Sequence, residues 1–221
     1  MKILPRFIRR KLDPADRLGE ILFGLIMALA IIGAVRVGEE AVDNRGLLIA
    51  IVGCNLAWAL VDAVMYVLVA VFDRGRRLRL FKELQATTSD DDALERIHGE
   101  LGGSLEPLVS PEVLRGFYSE VLKSMRSGNC PKTAGVERDD LLGGVAVALV
   151  IMLATLPIVA PYVLIANTTR AVRLSEAIAV GLLFLLGHRW GKIVGSNPWG
   201  LGAALTLIGG LLVGVTVLLG G

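Results

Sequence analysis

The sequence predicts an all-α membrane protein with five transmembrane helices and a cytoplasmic helical insertion between the second and third of them. Hydrophobic residues make up 54% of the 221 residues, whereas about 45–50% is usual for a soluble domain. These residues are gathered in long blocks, and a transmembrane helix needs about 20 mostly apolar residues. The charged residues, in contrast, are concentrated in one central segment.

The apolar blocks define the spans and divide the chain into three parts. The spans are predicted at 18–37, 46–72, 141–166, 174–190 and 198–221. The parts are a tail with the first two spans (1–72), the charged segment (73–140) and the last three spans (141–221). The first span follows a basic tail, as a signal sequence would, but this tail is long and contains Asp13 and Asp16. We therefore expect the first span to remain as a helix.

The charged segment has the pattern of two amphipathic helices. Ser89 and Asp90 form a start signal for the first helix, and the pair Gly102 and Gly103 is expected to end it. The second helix follows Pro111, and its apolar positions recur at helical spacing: Val113, Leu114, Phe117, Val121 and Leu122. We expect these two helices to pack on each other, on the helix ends or on a second copy.

The distribution of lysine and arginine predicts the orientation, because these residues are retained on the cytoplasmic side. The tail, the central segment and the loop after the fourth span contain 19 of the 23 basic residues, and the other two loops contain 4. The N-terminus and the central segment are therefore expected in the cytoplasm, and the C-terminus on the outer side. The chain is expected in a lipid membrane, the bacterial inner membrane.

Composition and motifs argue against several other classes. The 23 basic and 21 acidic residues give a net charge of +2, with no basic patch of the kind that binds nucleic acid. No nucleophile triad, phosphate-binding glycine loop or redox cysteine pair is recognisable. We therefore expect neither an enzyme nor a permanently bound cofactor.

Asp62 is the most informative single residue. It lies about 24 Å into the second span at 1.5 Å per residue, and an ionisable group at such depth usually faces a cavity or a partner. Asn55, Asp62 and Met65 occur at helical spacing on one side of the helix. Their oxygen and sulfur atoms suit a transition metal such as Fe²⁺ or Mn²⁺. The alternative is that Asp62 pairs with a basic residue inside the bundle and that Met65 only packs.

Glu20 and Met27 are the corresponding candidates in the first span. Glu20 is expected at the inner end of the transport path, opposite Asp62, with Met27 two turns further along. The alternative for Glu20 is an ordinary polar residue at a helix start, favoured by the helix dipole. For Met27 the alternative is a packing role in the core.

A third candidate site lies in the charged segment. Asp91, Glu95 and His98 have i, i+4 and i, i+3 spacing, so they project from one side of a helix. Two carboxylates and an imidazole suit a divalent metal. A solvated acidic helix face is the alternative.

The arrangement resembles the vacuolar iron transporter family, which has five spans and a charged helical insertion between the second and third. LATLPIVAPYVL (153–164) looks like the family's third span, and CNLAWALVDAVMYVL (54–68) matches the polar and methionine positions of its second. The sequence departs from the family in two places. The first span, DRLGEILFGLIMAL, lacks the membrane-embedded Asp-Gly pair, and the insertion lacks the repeated Glu-x-x-Glu pairs.

The resemblance implies a homodimeric transporter that exports Fe²⁺ or Mn²⁺ from the cytoplasm in exchange for protons. The metal would then be the substrate, collected or sensed by the insertion and moved between the first two spans. The two departures favour an alternative of another class, a non-transporting membrane scaffold or regulatory protein with the same architecture.

Overall fold

The structure is a computed structural model and describes residues 6–37, 43–105, 108–128 and 133–218. Within these ranges the chain is folded into helices joined by short connections. The helices are α1 (Arg6–Lys11), α2 (Pro14–Val37), α3 (Asn44–Ala86), α4 (Asp90–Leu105), α5 (Pro111–Ser127), α6 (Arg138–Leu164), α7 (Thr168–Val194) and α8 (Pro198–Leu218).

Five of the described helices are long and apolar enough to cross a membrane, which is the number predicted. They are α2, α3, α6, α7 and α8, and they correspond in order to the predicted spans. Their length and composition are those of an integral membrane protein. The predicted fifth span continued to residue 221, and its last three residues lie outside the described part of the chain.

Helix α2 begins four residues before the predicted first span, because Asp13 caps it. The Asp13 carboxylate accepts hydrogen bonds from the backbone N–H groups of Ala15 at 2.6 Å and Asp16 at 3.0 Å. Pro14 then occupies the first helical position, where its missing N–H costs nothing. The hydrogen bond from the Asp16 backbone holds the pKa of Asp13 below its ordinary value. The short helix α1, which precedes this cap, was not predicted.

Helix α3 is the longest element and continues well past the predicted end of the second span at residue 72. It runs through the basic cluster that starts at Arg74, and the helix ends at Ala86. The cause is local. Arginine, lysine and leucine are good helix formers, and the segment contains no proline and only one glycine, Gly75.

The chain divides into two compact units, and α3 contributes to both. Unit 1 contains Met1–Val67 and Arg138–Gly221, and unit 2 contains Leu68–Glu137. These boundaries lie a few residues before those predicted at 72 and 140.

In unit 1, glycines allow α7 and α8 to pack at very short distance. A Cβ atom at Gly191 would lie 2.6 Å from Pro198 Cα, and one at Gly209 would lie 2.7 Å from the Leu183 side chain. The turn between the two helices contains Gly195 at φ 70°, a left-handed conformation that favours glycine. A larger residue at Gly191 or Gly209 would therefore force the neighbouring atoms of the hairpin to move.

In unit 2, α4 and α5 pack on the last turns of α3 around one small core. Its buried residues are Leu84, Ala93, Ile97, Leu114, Tyr118 and Leu122. Helix α4 begins at Asp90 as predicted, and the Ser89 hydroxyl accepts a hydrogen bond from the Asp92 backbone at 3.3 Å. The predicted end at Gly102 and Gly103 is wrong, because the helix continues through both glycines.

The second predicted helix of this segment is confirmed as α5, but part of its predicted apolar face is exposed. Leu114, Tyr118 and Leu122 are buried, whereas Val113 and Phe117 are 58% and 47% exposed. Positions i, i+4 and i+8 thus form the buried stripe of α5. Tyr118 belongs to this stripe, although the apolar pattern of the sequence did not include it.

Candidate functional site

Small residues bring α2, α3 and α6 together in unit 1. A Cβ atom at Gly24 of α2 would lie only 3.4 Å from Asn55 Oδ1 of α3. A Cβ atom at Gly144 of α6 would lie 2.7 Å from the backbone oxygen of Ala63 on α3. The backbones can approach this closely only because these positions lack a side chain. The polar groups of α3 therefore lie against its neighbours rather than in an open space.

Glu20 of α2 and Asp62 of α3 form a carboxyl pair. The two carboxyl groups lie close enough for their charges to interact. One oxygen of each, Glu20 Oε2 and Asp62 Oδ2, is buried and has no hydrogen-bond partner. Two carboxylates in contact repel each other strongly where the dielectric constant is low. A proton or a cation held between them removes this repulsion.

Asn55 adds a further unpaired oxygen on the same side of α3. The residue is fully buried, and its Nδ2 donates a hydrogen bond to the Ile51 backbone oxygen at 3.0 Å. Its Oδ1 is buried without a hydrogen-bond donor. Asn55 and Asp62 are two helical turns apart, or about 10 Å along the axis. The interface of α2 and α3 therefore has buried acceptor oxygens at two heights.

No basic side chain of the described residues forms a salt bridge with the carboxyl pair. Lys11 is paired with Asp139 instead, at 2.8 Å. Arg17 is buried at 5% exposure, and its positive charge acts on Asp13. The alternative that Asp62 is neutralised by a fixed basic neighbour therefore finds no partner in the part of unit 1 that the structure describes.

More carboxylates surround the end of this interface at which α2 and α6 begin. Tyr66, one turn after Asp62, donates a hydrogen bond from its hydroxyl to the Lys11 backbone oxygen at 3.3 Å. The same hydroxyl lies within the fields of Asp16, Asp139 and Asp140. Asp140 is only 6% exposed. Asp139 is paired with Lys11 at 2.8 Å, so this end of the interface contains both acidic and basic groups.

Sequence reasoning missed this acidic group. The sequence ERDDLL comes directly before the third span, and two adjacent aspartates at the entrance to an apolar span are a usable signal. Their meaning depends on the packing of α6 beside Tyr66, which no local pattern reveals.

The two predicted methionines are placed differently from each other. Met65 is 50% exposed, although three residues along a helix leave its side chain only about 60° from that of Asp62. Met27 is half-buried on α2, two turns beyond Glu20 and on nearly the same side of the helix.

The third candidate set, Asp91, Glu95 and His98, lies on α4 in unit 2. All three side chains are exposed, and all three line one cavity between α4 and α5. Among the described residues, however, no three histidine, cysteine or acidic side chains are arranged so that they could hold a metal. The structure therefore places these residues together without assembling them into a metal site.

No protein-family model matches the sequence, and no curated protein is significantly similar to it.

Proposed function

We propose that this protein transports a divalent transition-metal cation, Fe²⁺ or Mn²⁺, across the membrane between α2 and α3. The single observation that carries the proposal is the carboxyl pair of Glu20 and Asp62. A buried charge is stable only when it is paired or coordinated, and this pair has a second carboxylate where a basic residue would be expected. A cation between the two groups balances the negative charge of both carboxylates.

The ligands at the pair are oxygen atoms, which suit cations such as Mn²⁺ and Fe²⁺. Met65 is 50% exposed, and the first binding step is proposed to use oxygen ligands alone. Asn55 Oδ1 provides a neutral oxygen about 10 Å further along, where a cation leaving the pair meets its next ligand. The acidic groups around Tyr66 collect cations at the other end of the interface.

Export coupled to protons follows from the same pair. When a cation leaves, the two carboxyl groups take up a proton to relieve their repulsion, and this proton must be released before the next cation binds. The direction is set by the predicted orientation, with the Asp16, Asp139 and Asp140 end in the cytoplasm. The homodimer and the bacterial inner membrane remain predictions made from the resemblance and the sequence.

Flux of Mn²⁺ through the purified protein in liposomes tests this function. We expect Asp62→Asn and Glu20→Gln each to reduce the flux about tenfold or more, since each removes one of two charged ligands. Asp73→Asn is the matched control, because Asp73 lies on α3 outside the carboxyl pair, and its flux should equal that of the wild type. Flux through the wild type with no effect of either substitution would remove the pair from the mechanism. No flux through the wild type would favour the scaffold alternative.

A further inference from the structure

A methyl-sized gap lies where α2, α3 and α6 meet, because Gly24 of α2 has no side chain. A Cβ atom at Gly24 would lie 3.4 Å from Asn55 Oδ1, 3.5 Å from Ile151 Cγ2 and 3.6 Å from the Ile151 backbone oxygen. These are ordinary van der Waals distances, so a methyl group would just fill the gap. Oxygen atoms from two helices, α3 and α6, therefore face one small space.

The side chain of Asn55 is held so that its oxygen points into this gap. Asn55 is fully buried, and its Nδ2 donates a hydrogen bond to the Ile51 backbone oxygen of its own helix at 3.0 Å. This bond fixes the amide group, and Oδ1 is then the atom nearest to the Cβ position of Gly24. Oδ1 has no hydrogen-bond donor. A buried acceptor in this state is costly, and a cation in the gap removes the cost.

The Ile151 carbonyl supplies the second oxygen of the gap, and the Thr155 hydroxyl lies beside it. Thr155 is 1% exposed, and its hydroxyl donates a hydrogen bond to the Ile151 backbone oxygen at 2.9 Å. A hydroxyl group can rotate and also accept, so a cation at this carbonyl has a further oxygen beside it. The oxygens at the gap are therefore uncharged, in contrast to those of the carboxyl pair.

The gap continues the interface that contains the carboxyl pair. Glu20 and Gly24 are one turn, or about 6 Å, apart along α2 and lie on nearly the same side of it. On α3, Asn55 lies about 10 Å from Asp62. Conduction requires sites that an ion can enter and also leave. Two carboxylates hold a divalent cation strongly, whereas neutral oxygens hold it weakly enough for release.

We propose that this gap is a second, weaker position of the transported cation, and that Gly24 admits the cation because it has no side chain. Asn55 Oδ1 and the Ile151 carbonyl hold the cation after it leaves the carboxyl pair, so α6 forms a wall of the path beside α2 and α3. The inference rests on the proposed function, but it concerns passage beyond the carboxyl pair and not binding to it. A methyl group at position 24 therefore slows transport and leaves binding at the pair intact.

Gly24→Ala tests the inference by two measurements, Mn²⁺ flux in liposomes and calorimetric titration of the full-length protein in detergent with Mn²⁺. We expect the maximal flux to fall about tenfold while the dissociation constant changes less than about twofold, because only a step after binding is blocked. The unfolding temperature should stay close to that of the wild type, since the added Cβ atom makes ordinary contacts. The matched control is Gly19→Ala on the same helix, where a Cβ atom meets nothing within 4 Å. Its flux and its binding should equal those of the wild type.

Asn55→Asp tests the same gap without filling it. A carboxylate in place of the neutral oxygen turns the weak position into a strong one, so this variant should bind one more Mn²⁺ ion per chain than the wild type and transport more slowly. The inference is overturned if Asn55→Asp binds no additional ion, or if Gly24→Ala transports at the wild-type rate. It is also overturned if Gly24→Ala loses binding together with flux, or if Gly19→Ala has the same effect as Gly24→Ala. A wild-type protein that transports no Mn²⁺ would overturn the proposed function as well.

Discussion

The carboxyl groups of Glu20 on α2 and Asp62 on α3 lie close enough for their charges to interact, and neither forms a salt bridge with a basic residue in the described part of the chain. Membrane proteins usually pair buried carboxylates with basic groups or place them on an ion path. In the proposed mechanism this arrangement stores repulsion between the two charges, which a cation or a proton releases.

This stored repulsion should be visible in stability without any transport assay. At neutral pH and without divalent metal, Asp62→Asn and Glu20→Gln should each raise the free energy of unfolding, by roughly 1 kcal/mol. The double substitution should add little more, because contacting residues are typically coupled by about 0.5–3 kcal/mol. Thermal unfolding of the four proteins in detergent measures this cycle. Additive effects of the two substitutions would show that the carboxyl groups do not interact.

Close packing of α6 on α3 should depend on Gly144. Gly144→Ala would put a Cβ atom 2.7 Å from the Ala63 backbone oxygen, and backbone cannot move aside as a side chain can. We expect a loss of about 1–3 kcal/mol in the free energy of unfolding, the usual cost of overpacking. The control is Gly181→Ala on α7, where a Cβ atom meets nothing within 4 Å. Equal unfolding temperatures for the two variants would contradict the packing described for α3 and α6.

The Asp13 cap should make α2 sensitive to pH. Since the pKa of Asp13 is lower in the folded protein than in the unfolded chain, its stabilising effect is complete above the unfolded pKa. The effect is lost as the pH falls through the folded pKa. Asp13→Ala should therefore destabilise the protein at pH 7 by about 1 kcal/mol, the usual cost of a lost N-cap. The difference from the wild type should shrink as the pH is lowered to about 3. A difference that stays constant with pH would exclude the charged cap.

The buried stripe of α5 should control the stability of unit 2. Leu122 is 5% exposed and belongs to its core, so Leu122→Ala should cost about 2–5 kcal/mol. Hydrogen exchange of the α4 and α5 amides should then become faster, because these helices share that core. Val113→Ala, at a position that is 58% exposed, should leave exchange unchanged. Equally faster exchange in both variants would mean that Val113 is buried as well, as the sequence pattern predicts.

The sequence was sufficient to predict the spans, because long apolar blocks leave few alternatives to membrane helices. It also led us to predict Glu20 at the inner end of the transport path, opposite Asp62. It did not indicate how each helix is rotated. Met65 lies only about 60° around α3 from Asp62, on the predicted side, but its 50% exposure depends on how α3 is rotated against its neighbours.

The acidic groups around Tyr66 and the extension of α3 were missed for different reasons. Asp139 and Asp140 acquire their position from contacts between helices that are distant in sequence. The extension of α3 to Ala86 has a local cause, but the change from apolar to charged residues was interpreted as the end of the helix. Composition marks the end of a membrane span, whereas only breaking residues mark the end of the helix itself.

Anomalous scattering from crystals of the protein soaked in Mn²⁺ tests the central claim most directly. Our account predicts a manganese peak within coordination distance of both Glu20 and Asp62, and its loss in crystals of Asp62→Asn. A wild-type protein that binds manganese elsewhere, with the two carboxyl groups still in contact and no peak between them, would contradict it.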